Sequence, residues 1–323
     1  MTHAILVHKP GGPEVLEWQE IEVGEPGPGQ IRLKHTAVGL NFIDVYHRTG
    51  LYPMPLPFVP GMEGAGVVEA IGPDVTSLAV GDRVAYAGSI GGYSEARLIA
   101  ADRVVKLPDA ISDQTAAAMM LQGMTVQYLI RSVFPVKSGD TILIHAAAGG
   151  VGLILCQWAS SLGATVIGTV SNDEKAALAK ANGCHHTINY TTEDFQARVL
   201  QITGGKKLPV VYDSIGRDTF MKSLDCLRPR GLMVTFGQSS GPVGPIDLGI
   251  LGQKGSLVVT RPTLQSFIAT REDLAATAND LFDVVASGNV KISVNQTYPL
   301  RDAAQAHRDL EARKTTGSTV LTV

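Results

Sequence analysis

One segment, Ile142–Gly152, constrains the fold of this chain more than any other. It reads ILIHAAAGGVG, an apolar run that stops at a patch of very small residues. A helical pattern follows and is closed by Gly163, and its apolar stripe consists of Val151, Ile154, Leu155, Trp158 and Leu162. Strand, tight turn and helix in this order form the geometry that holds a dinucleotide pyrophosphate against the amides of a helix N-terminus.

The glycine pattern of this turn departs from Gly-x-Gly-x-x-Gly. Laid on the sequence, the pattern falls at Ala147, Gly149 and Gly152, so its first position is an alanine. Alanine lets a backbone pass closely but does not readily take a positive φ. We predict that the turn contacts a dinucleotide through Ala147, Gly149, Gly150, Val151 and Gly152. The alternative is an ordinary βα turn in which small residues pack a helix on a strand.

The end of the next strand indicates which nicotinamide nucleotide fits. An NAD-preferring site places an acidic residue about twenty residues past the glycines, on the ribose 2′-hydroxyl. Here the strand ends in the neutral stretch 168–172, and Lys175 lies one turn into the following helix. The sequence therefore predicts a preference for NADPH, with Ser171 and Lys175 as cofactor contacts.

Three alternatives remain for this strand end. Ser171-x-x-Glu174 has the form of a capping box, so one alternative is that Ser171 only caps the helix. A second alternative is that Lys175 lies on a solvated helix face without contacting the cofactor. A different course of the loop would let Asp173 or Glu174 bind a ribose.

Composition argues against several classes of protein. The 323 residues are enough for about two domains. A net charge of −3 with mixed signs argues against nucleic-acid or membrane-surface binding by bulk electrostatics. No apolar run reaches the roughly 20 residues of a bilayer span, and the first residues lack the order of a signal peptide. The cysteines, which form no Cys-x-x-Cys, argue against a disulfide framework and indicate a reducing cytoplasm: Cys156, Cys184 and Cys226.

The part of the chain before Thr141 is predicted to be β-rich. Turn signals separate short apolar or alternating runs at Ala4–Val7, Gln30–Val38, Gly64–Ile71 and Arg83–Tyr86. The stretch 51–60 holds four prolines and is predicted to be a stiff loop. The pattern from Ser112 to Ser132 is helical.

From Thr141 onward, strands and helices alternate. Strands are predicted at 141–145, 165–170, 210–213, 232–236 and 255–260, with helices at 150–162 and 173–182. This alternation implies a parallel sheet with right-handed crossovers. The tail from Arg271 carries two helical patterns and a final strand at 318–323. We expect the strand at 255–260 to lie at the sheet edge, where pairing with a second copy would cover its backbone groups.

Motifs across nearly the whole chain resemble the zinc-free quinone oxidoreductases of the medium-chain dehydrogenase/reductase superfamily, the ζ-crystallin-like group. The resemblance lies in 41–44 (NFID), 50–53 (GLYP), 61–66 (GMEGAG), 80–84 (VGDRV), 146–152, 211–216 (VYDSIG) and 260–262 (TRP). It implies an α/β fold class with a GroES-like β-barrel-type catalytic domain over 1–123, completed by 264–323. A Rossmann domain with a doubly wound parallel sheet, over 124–263, would bind NADPH. The resemblance also implies a homodimer.

The resemblance implies roles for individual residues. Asn41, Tyr46 and Tyr52 correspond to the polar lining beside the nicotinamide, and Arg261 to a residue near the substrate cleft, so these four are the predicted catalytic residues. Thr125 corresponds to a residue at the cofactor-facing start of the nucleotide domain. The group around the adenosine 2′-phosphate is Lys175, Tyr190 and Arg313, and the ribose and nicotinamide contacts are Ser214, Phe236, Ser239 and Ser240.

Several of these residues have a plainer structural interpretation. Asn41 is also typical of a turn residue that bonds local backbone, and Asp44 is predicted to cap the next helical turn. Tyr46 and Tyr52 could anchor an interface, Tyr190 could pack in a core, and Arg261 could form a domain-boundary salt bridge. We predict that His145 packs under the glycine turn and is not a base, and that Cys156 is inert. Gln122 receives no function.

Zinc-dependent relatives place a cysteine ligand in the region of Asn41 and a histidine where Met62 stands, and they carry a four-cysteine lobe. Tetrahedral zinc requires three or four converging ligands, and Glu63 beside Met62 does not supply them. The sequence therefore predicts neither catalytic nor structural zinc.

The predicted function is NADPH-dependent reduction of quinones, without zinc, by a cytoplasmic homodimer. A hydroquinone resembles tyrosine, whose pKa is about 10, so water can protonate it without a dedicated acid. One alternative is an NADPH-dependent enone or alkenal double-bond reductase with the same cofactor residues. A second alternative is a non-enzymatic NADPH-binding protein with a crystallin-like or RNA-binding role, which the lack of a basic patch disfavours.

Overall fold

The computed structural model describes residues 2–323, which divide into two compact units. The first unit comprises the described residues up to Met124 together with Phe267–Ala286 and Ile292–Val323. The second comprises Thr125–Ser266 and Ser287–Lys291. Each unit has its own sheet.

The strands in the described chain are β1 Thr2–Leu6, β2 Glu17–Ile21, β3 Gln30–Leu40, β4 Glu63–Ile71, β5 Arg83–Ala87, β6 Ala96–Ala100, β7 Val105–Lys106, β8 Thr141–Ile144, β9 Thr165–Val170, β10 His186–Asn189, β11 Leu208–Asp213, β12 Leu227–Thr235, β13 Val258–Thr260, β14 Val294–Pro299 and β15 Ser318–Thr322. The helices are α1 Phe42–Thr49, α2 Asp113–Ala117, α3 Met120–Tyr128, α4 Gly150–Ser161, α5 Asp173–Ala181, α6 Phe195–Ile202, α7 Phe220–Cys226, α8 Gly249–Gln253, α9 Leu264–Phe267, α10 Arg271–Ala286 and α11 Ala303–Glu311. A π-helical turn, Leu129–Val133, continues α3.

The main sheet of the first unit runs in the order β14-β15-β3-β4-β5-β7, and β6 also pairs with β3, while β1 and β2 form a separate two-stranded sheet. Strand β3 shows the alternation of a half-buried strand, because Ile31 and Leu33 are buried while Lys34 is exposed. Ile31 and Leu33 pack with Val68 and Val84 in an apolar cluster. This unit is the predicted GroES-like part of the fold.

The sheet of the second unit is parallel and runs in the order β10-β9-β8-β11-β12-β13. Numbered within the unit, this is the order 3-2-1-4-5-6 of a doubly wound dinucleotide-binding fold. Every residue of β11, LPVVYD, is buried, as a parallel strand covered on both faces requires. The predicted fold class is confirmed for both units.

Most of the predicted elements are present, and those that were missed are short or lie at sheet edges. Strand β9 has the predicted bounds, Gly163 ends α4 with a φ of 83°, and 51–60 is irregular. Strand β13 lies at the sheet edge, as expected. The missed strands β10 and β14 also lie at sheet edges. Only one residue of β10 and none of β14 is buried, so their apolar pattern is weak.

No helix within residues 2–323 combines the length and the apolar character needed to cross a lipid bilayer.

Candidate functional site

The turn between β8 and α4 takes the tight course that the sequence predicted. The left-handed residue is Ala146, with a φ of 55°, and not the following Ala147. The amide of Gly149 donates to the carbonyl oxygen of Ala146 at 2.9 Å and closes the turn. Because a left-handed alanine costs roughly 1–2 kcal/mol, the surrounding packing must hold Ala146 in place.

Two glycines at this turn have no room for a side chain. A Cβ on Gly152 would lie 2.3 Å from the Ala146 carbonyl oxygen and 2.7 Å from the carbonyl carbon of Ala147. A Cβ on Gly168, in the neighbouring strand β9, would lie 2.5 Å from the Cβ of Ala147. Both clashes involve atoms close to or within the backbone, so the first turn of α4 packs directly on its strand.

Above the turn the surface is more open. A Cβ on Gly149 would meet a single atom within 4 Å, the Ala146 carbonyl oxygen at 3.3 Å. The first amides of α4 have no acceptors within the helix and carry its positive dipole end. A glycine turn against a helix N-terminus therefore fits a dinucleotide pyrophosphate, as the sequence predicted.

A predicted site residue follows each strand of the second unit's sheet, and all of them are predicted cofactor contacts except the predicted catalytic residue Arg261. The set with one member after each strand, from β8 to β13, is Ala147, Ser171, Tyr190, Ser214, Phe236 and Arg261. Carboxyl ends of parallel strands lie at one edge, and ligands bind there at the switch point of the strand order, here between β8 and β11. We call this edge the strand-end edge.

The end of β9 corrects one alternative. Asn172, and not Ser171, is the N-cap of α5, because its side-chain oxygen accepts from the amide of Lys175 at 2.8 Å. The capping-box interpretation of Ser171 is therefore wrong. Tyr190 is 40% exposed, so the interpretation that it packs in a core is also wrong.

Hydrogen bonds to Asp213 shape the end of β11. The buried Asp213 accepts from the amides of Ile215 and Gly216 at 2.7 and 3.1 Å and from the Thr219 hydroxyl at 2.7 Å. These bonds shape the turn that presents Ser214. No role was predicted for Asp213 from the sequence, although an acidic residue at the end of a buried strand is a usable signal.

The remaining predicted contacts of this edge are also held by backbone groups. The amide of Ser239 donates to the carbonyl of Ser214 at 3.1 Å, and the Ser240 hydroxyl donates to the carbonyl of Ile215 at 2.8 Å. Arg261 donates from Nη1 to the carbonyls of Thr235 and Gly237, at 2.9 and 3.1 Å. Arg261 therefore holds the end of β12.

Two predicted cofactor residues lie elsewhere. Thr125 is buried on α3, at the start of the second unit. Arg313 belongs to the first unit and follows α11, with a left-handed φ of 58°.

A chain of buried polar side chains surrounds Asn41 in the first unit. Asn41 donates from Nδ2 to Oε1 of Glu63 at 2.5 Å and accepts at Oδ1 from Nε2 of Gln122 at 3.1 Å. The amide of Leu121 donates to Oε2 of Glu63 at 2.7 Å. The Ser318 hydroxyl lies 2.8 Å from Oε1 of Gln122. We call Asn41, Glu63, Gln122 and Ser318 the Asn41 chain.

Burial dominates the electrostatics here. It raises the pKa of Glu63 to about 8, against the hydrogen bonds from Asn41 and Leu121 and with a further rise from the charge of Asp44. Burial also raises the pKa of Asp44 to about 7. From the sequence, Glu63 was considered only as a zinc ligand and Gln122 was assigned no function, so their contacts with Asn41 were not predicted.

Asp44 has the capping role that was predicted. Its Oδ2 accepts from the amide of Asn41, the N-cap of α1, at 2.9 Å, and from the Tyr93 hydroxyl at 3.1 Å. Asn41 is therefore both a turn residue, as one interpretation had it, and a member of a long-range chain. Of the two tyrosines that were predicted to be catalytic, Tyr46 lies on α1. The centre of its ring lies 5.2 Å from the centre of the Tyr52 ring, in an edge-on arrangement.

His145 and Cys156 lie where the sequence predicted. Nδ1 of His145 lies 2.9 Å from the Thr169 hydroxyl and Nε2 lies 2.9 Å from that of Ser223, and burial lowers the pKa of the ring. A hydrogen bond with Cys184, together with burial, raises the pKa of Cys156. Neither residue has the properties of a base or a thiolate nucleophile.

Within residues 2–323, no group of three or more His, Cys, Asp or Glu side chains is placed to share a metal ion. Glu63 bonds Asn41 and Leu121 instead.

Comparisons with known proteins agree with this geometry. Residues 27–109 match the alcohol dehydrogenase GroES-like domain and residues 150–283 match the zinc-binding dehydrogenase family, so the chain has the two-part architecture of a medium-chain dehydrogenase/reductase. It is 56% identical to a quinone oxidoreductase of Pseudomonas aeruginosa, over 96% of both chains. It is 50% identical to a 2-haloacrylate reductase of a Burkholderia species, over 99% of both.

The solved structure of Escherichia coli quinone oxidoreductase complexed with NADPH is 52% identical and superposes with a TM-score of 0.98, over 100% of both chains. The chain belongs to the quinone oxidoreductase family of this superfamily.

Proposed function

We propose that this protein reduces quinones with NADPH. The observation that carries the proposal is the identity of 56%, over nearly the whole chain, to a relative named quinone oxidoreductase. The test is NADPH oxidation measured against quinones of graded size. We expect turnover of small quinones, and no turnover of any quinone would overturn the proposal.

The strand-end edge supports NADPH as the cofactor. The glycine turn fits a pyrophosphate, and strand β9 is followed by the neutral Ser171 and not by the acidic residue of an NAD-preferring site. The proposed contacts are Thr125, Ala147, Gly149, Gly150, Val151, Gly152, Ser171, Lys175, Tyr190, Ser214, Phe236, Ser239, Ser240 and Arg313. When bound, NADPH supplies the hydride.

The chain itself supplies orientation and hydrogen-bond donors. We propose that Asn41, Tyr46 and Tyr52 donate to the oxygen of the quinone on which negative charge develops. Arg261 assists by fixing the end of β12 through two backbone carbonyls. Because a phenolic oxygen is weakly basic, water completes its protonation and no zinc is needed.

The proposed role of Lys175 gives a first prediction. In Lys175→Ala the point charge near the 2′-phosphate is lost, so we expect the Kd for NADPH to rise about tenfold while that for NADH stays unchanged. Fluorescence titration with both nucleotides measures this, and Lys180→Ala, on the same helix, is the control. Equal effects on the two nucleotides would contradict the assignment.

The two tyrosines give a second prediction. In the Tyr46→Phe, Tyr52→Phe double variant, we expect kcat/KM for a quinone to fall about 10²-fold, because hydroxyl donors to the developing oxyanion are removed while the rings remain. The Kd for NADPH should stay the same. An unchanged kcat/KM would remove both hydroxyls from the mechanism.

Zinc independence has its own test. Elemental analysis of protein purified without added metal should find no stoichiometric zinc. A 1:1 zinc content would refute it.

A second candidate function is reduction of an activated carbon–carbon double bond. The relative of 50% identity that is named 2-haloacrylate reductase favours it. The cofactor residues would be the same, so a panel of quinones, enones and 2-haloacrylates decides. A higher kcat/KM for an enone or haloacrylate would replace the quinone proposal.

We also propose a cytoplasmic homodimer with functional domains at 1–123 plus 264–323 and at 124–263. Strand β13 supports pairing of two copies, because Val258 is half exposed at the sheet edge. The buried free thiols of Cys156, Cys184 and Cys226 support a reducing compartment. Light scattering that gives the mass of a single chain would overturn the dimer.

A further inference from the structure

The Asn41 chain has more structure than an active-site lining needs, since Asn41 is bonded on both sides of its amide. The Nδ2 group faces a carboxylate oxygen and Oδ1 faces the amide of Gln122. All four side chains are at least nine-tenths buried. The amide of Asn41 therefore has its orientation set by protein groups and not by water.

The direction of the chain follows from what each group can donate or accept. An ionised carboxylate accepts only, so it requires Nδ2 of Asn41 to face it, and Oδ1 then accepts from Gln122. Gln122 in turn presents Oε1 to the Ser318 hydroxyl, which donates to it. Each link fixes the next one.

The far end of the chain allows the opposite direction. The Ser318 hydroxyl lies 2.8 Å from Oε1 of Gln122 and 2.9 Å from the carbonyl oxygen of Ala118. If the hydroxyl donates to Ala118, it accepts from Gln122, and both amides are reversed. Oδ1 of Asn41 would then face Glu63, which requires a protonated carboxyl.

We propose that Glu63 is a positioning residue whose protonation state sets the orientation of the Asn41 amide and thereby decides whether Asn41 presents a donor to the acceptor substrate. The inference rests on the proposed function for its substrate. With Glu63 ionised, one hydrogen of Nδ2 bonds Glu63 and the other is left to donate to the quinone oxygen. With Glu63 protonated, its hydroxyl donates to Oδ1 and this arrangement is lost.

The surroundings make this equilibrium accessible near neutral pH. Burial raises the pKa of Glu63 to about 8. The titratable groups that face it are Asp44 on α1, whose charge raises this pKa further, and the hydroxyls of Tyr86 and Tyr93, whose own pKa values are raised. Space for the carboxyl depends on Gly39, where a Cβ would lie within van der Waals overlap of Oε1 and of the Ala117 carbonyl oxygen.

The first experiment measures kcat for a small quinone at saturating NADPH, from about pH 6 to about pH 10. We expect kcat of the unaltered protein to rise as one group ionises. In Glu63→Gln, which keeps the size of the side chain, that rise should vanish and kcat should be about tenfold lower, with an unchanged Kd for NADPH. An unchanged pH profile, or a parallel change in the Kd for NADPH, would overturn the proposal.

A second variant acts from the other end of the chain and leaves Glu63 in place. In Ser318→Ala the ionised arrangement loses one hydrogen bond, to Gln122, and the protonated arrangement loses two, to Ala118 and from Gln122, so the apparent pKa of the profile should move downward while the plateau kcat is kept. Ser240→Ala is unsuitable as a control because it lies at the strand-end edge, and Ser266→Ala serves instead. A profile with the same apparent pKa in Ser318→Ala would contradict the proposal that the Asn41 chain couples Ser318 to Glu63.

An infrared difference spectrum tests the protonation without turnover. Between about pH 6 and about pH 10 the protein without substrate should lose protonated-carboxyl absorption from both Asp44 and Glu63, and Glu63→Gln should lack only the Glu63 band. If no quinone is reduced but the band is present and assigned to Glu63, the proposed function fails, and the proposed protonation of Glu63 stands. If quinones are reduced and the Glu63 band is absent, the proposed protonation of Glu63 fails, and the proposed function stands.

Discussion

Replacing Gly152 by alanine is expected to weaken NADPH binding about 10³-fold. The added Cβ would lie 2.3 Å from the Ala146 carbonyl oxygen and 2.7 Å from the Ala147 carbonyl carbon, and both are backbone atoms. The β8–α4 turn must therefore move away from α4. Loss of two amide bonds to a pyrophosphate, at about 1.5–3 kcal/mol for each bond to a charged group, gives a loss of this size.

The same substitution should lower the free energy of unfolding by about 1–3 kcal/mol, the usual cost of overpacking. The matched control is Gly252→Ala on α8, where a Cβ would meet no atom within 4 Å. Fluorescence titration with NADPH and urea unfolding measure the two effects. If Gly152→Ala bound NADPH as tightly as Gly252→Ala does, the glycine turn would not be the pyrophosphate site.

Removing the carboxylate of Glu311 is expected to destabilise the first unit by about 3–5 kcal/mol, the cost of leaving a buried charge unpaired. Arg48 is 1% exposed and bonds both carboxylate oxygens of Glu311, at 2.8 and 2.9 Å. Its other partners are neutral: Nη1 bonds Nδ1 of His307, and Nε donates to the Gly11 carbonyl at 3.2 Å. In Glu311→Ala the guanidinium therefore stays buried without a counter-charge.

Replacing Arg48 instead of Glu311 should lower the free energy of unfolding by less, which makes this prediction specific. In Arg48→Met the remaining carboxylate of Glu311, about one-third exposed, can be hydrated, so Arg48→Met should cost less than Glu311→Ala. Glu25→Ala removes the 82% exposed partner of Arg32 and should cost less than about 1 kcal/mol. Urea unfolding followed through Trp18, in a Trp158→Phe background, reports on the first unit. A larger loss in Arg48→Met than in Glu311→Ala would contradict the argument.

The same network explains why His307 remains neutral. Burial, followed by the charge of Arg48, lowers the pKa of His307 to about 3. Tyr93 donates its hydrogen to Asp44, so Nε2 of His307 donates to the Tyr93 oxygen and Nδ1 accepts from Arg48. The unfolded chain therefore binds a proton at His307 more readily than the folded protein does. As the pH falls from the ordinary histidine pKa of 6.5 to the folded-state pKa of about 3, the free energy of unfolding decreases.

The second unit was predictable because its signals are local. A buried parallel strand, a small-residue turn and an amphipathic helix are adjacent in sequence, and strand β9 was located to the residue. The first glycine position of the pattern falls at Ala147, whereas the left-handed residue of the turn is Ala146. A motif fixes the kind of turn, but the hydrogen bond from Gly149 selects which residue turns left-handed.

The Asn41 chain was only half visible. Asn41 was recognised from its motif, but Glu63 was considered only as a zinc ligand and Gln122 was set aside. Ser318, on the last strand, gave no signal at all. These residues come from β4, α3 and β15, and no period or spacing in the sequence relates them.

The sequence by itself determined the alternation of strands and helices, the glycine turn and the neutral end of β9, because each depends on residues a few positions apart. Tertiary structure decided which buried polar groups satisfy one another: Glu63 with Asn41, Gln122 with Ser318, and Arg48 with Glu311. Burial makes an unpaired polar group costly, so such groups must find partners, but the partner is chosen by the packing of distant segments and not by neighbours in the chain.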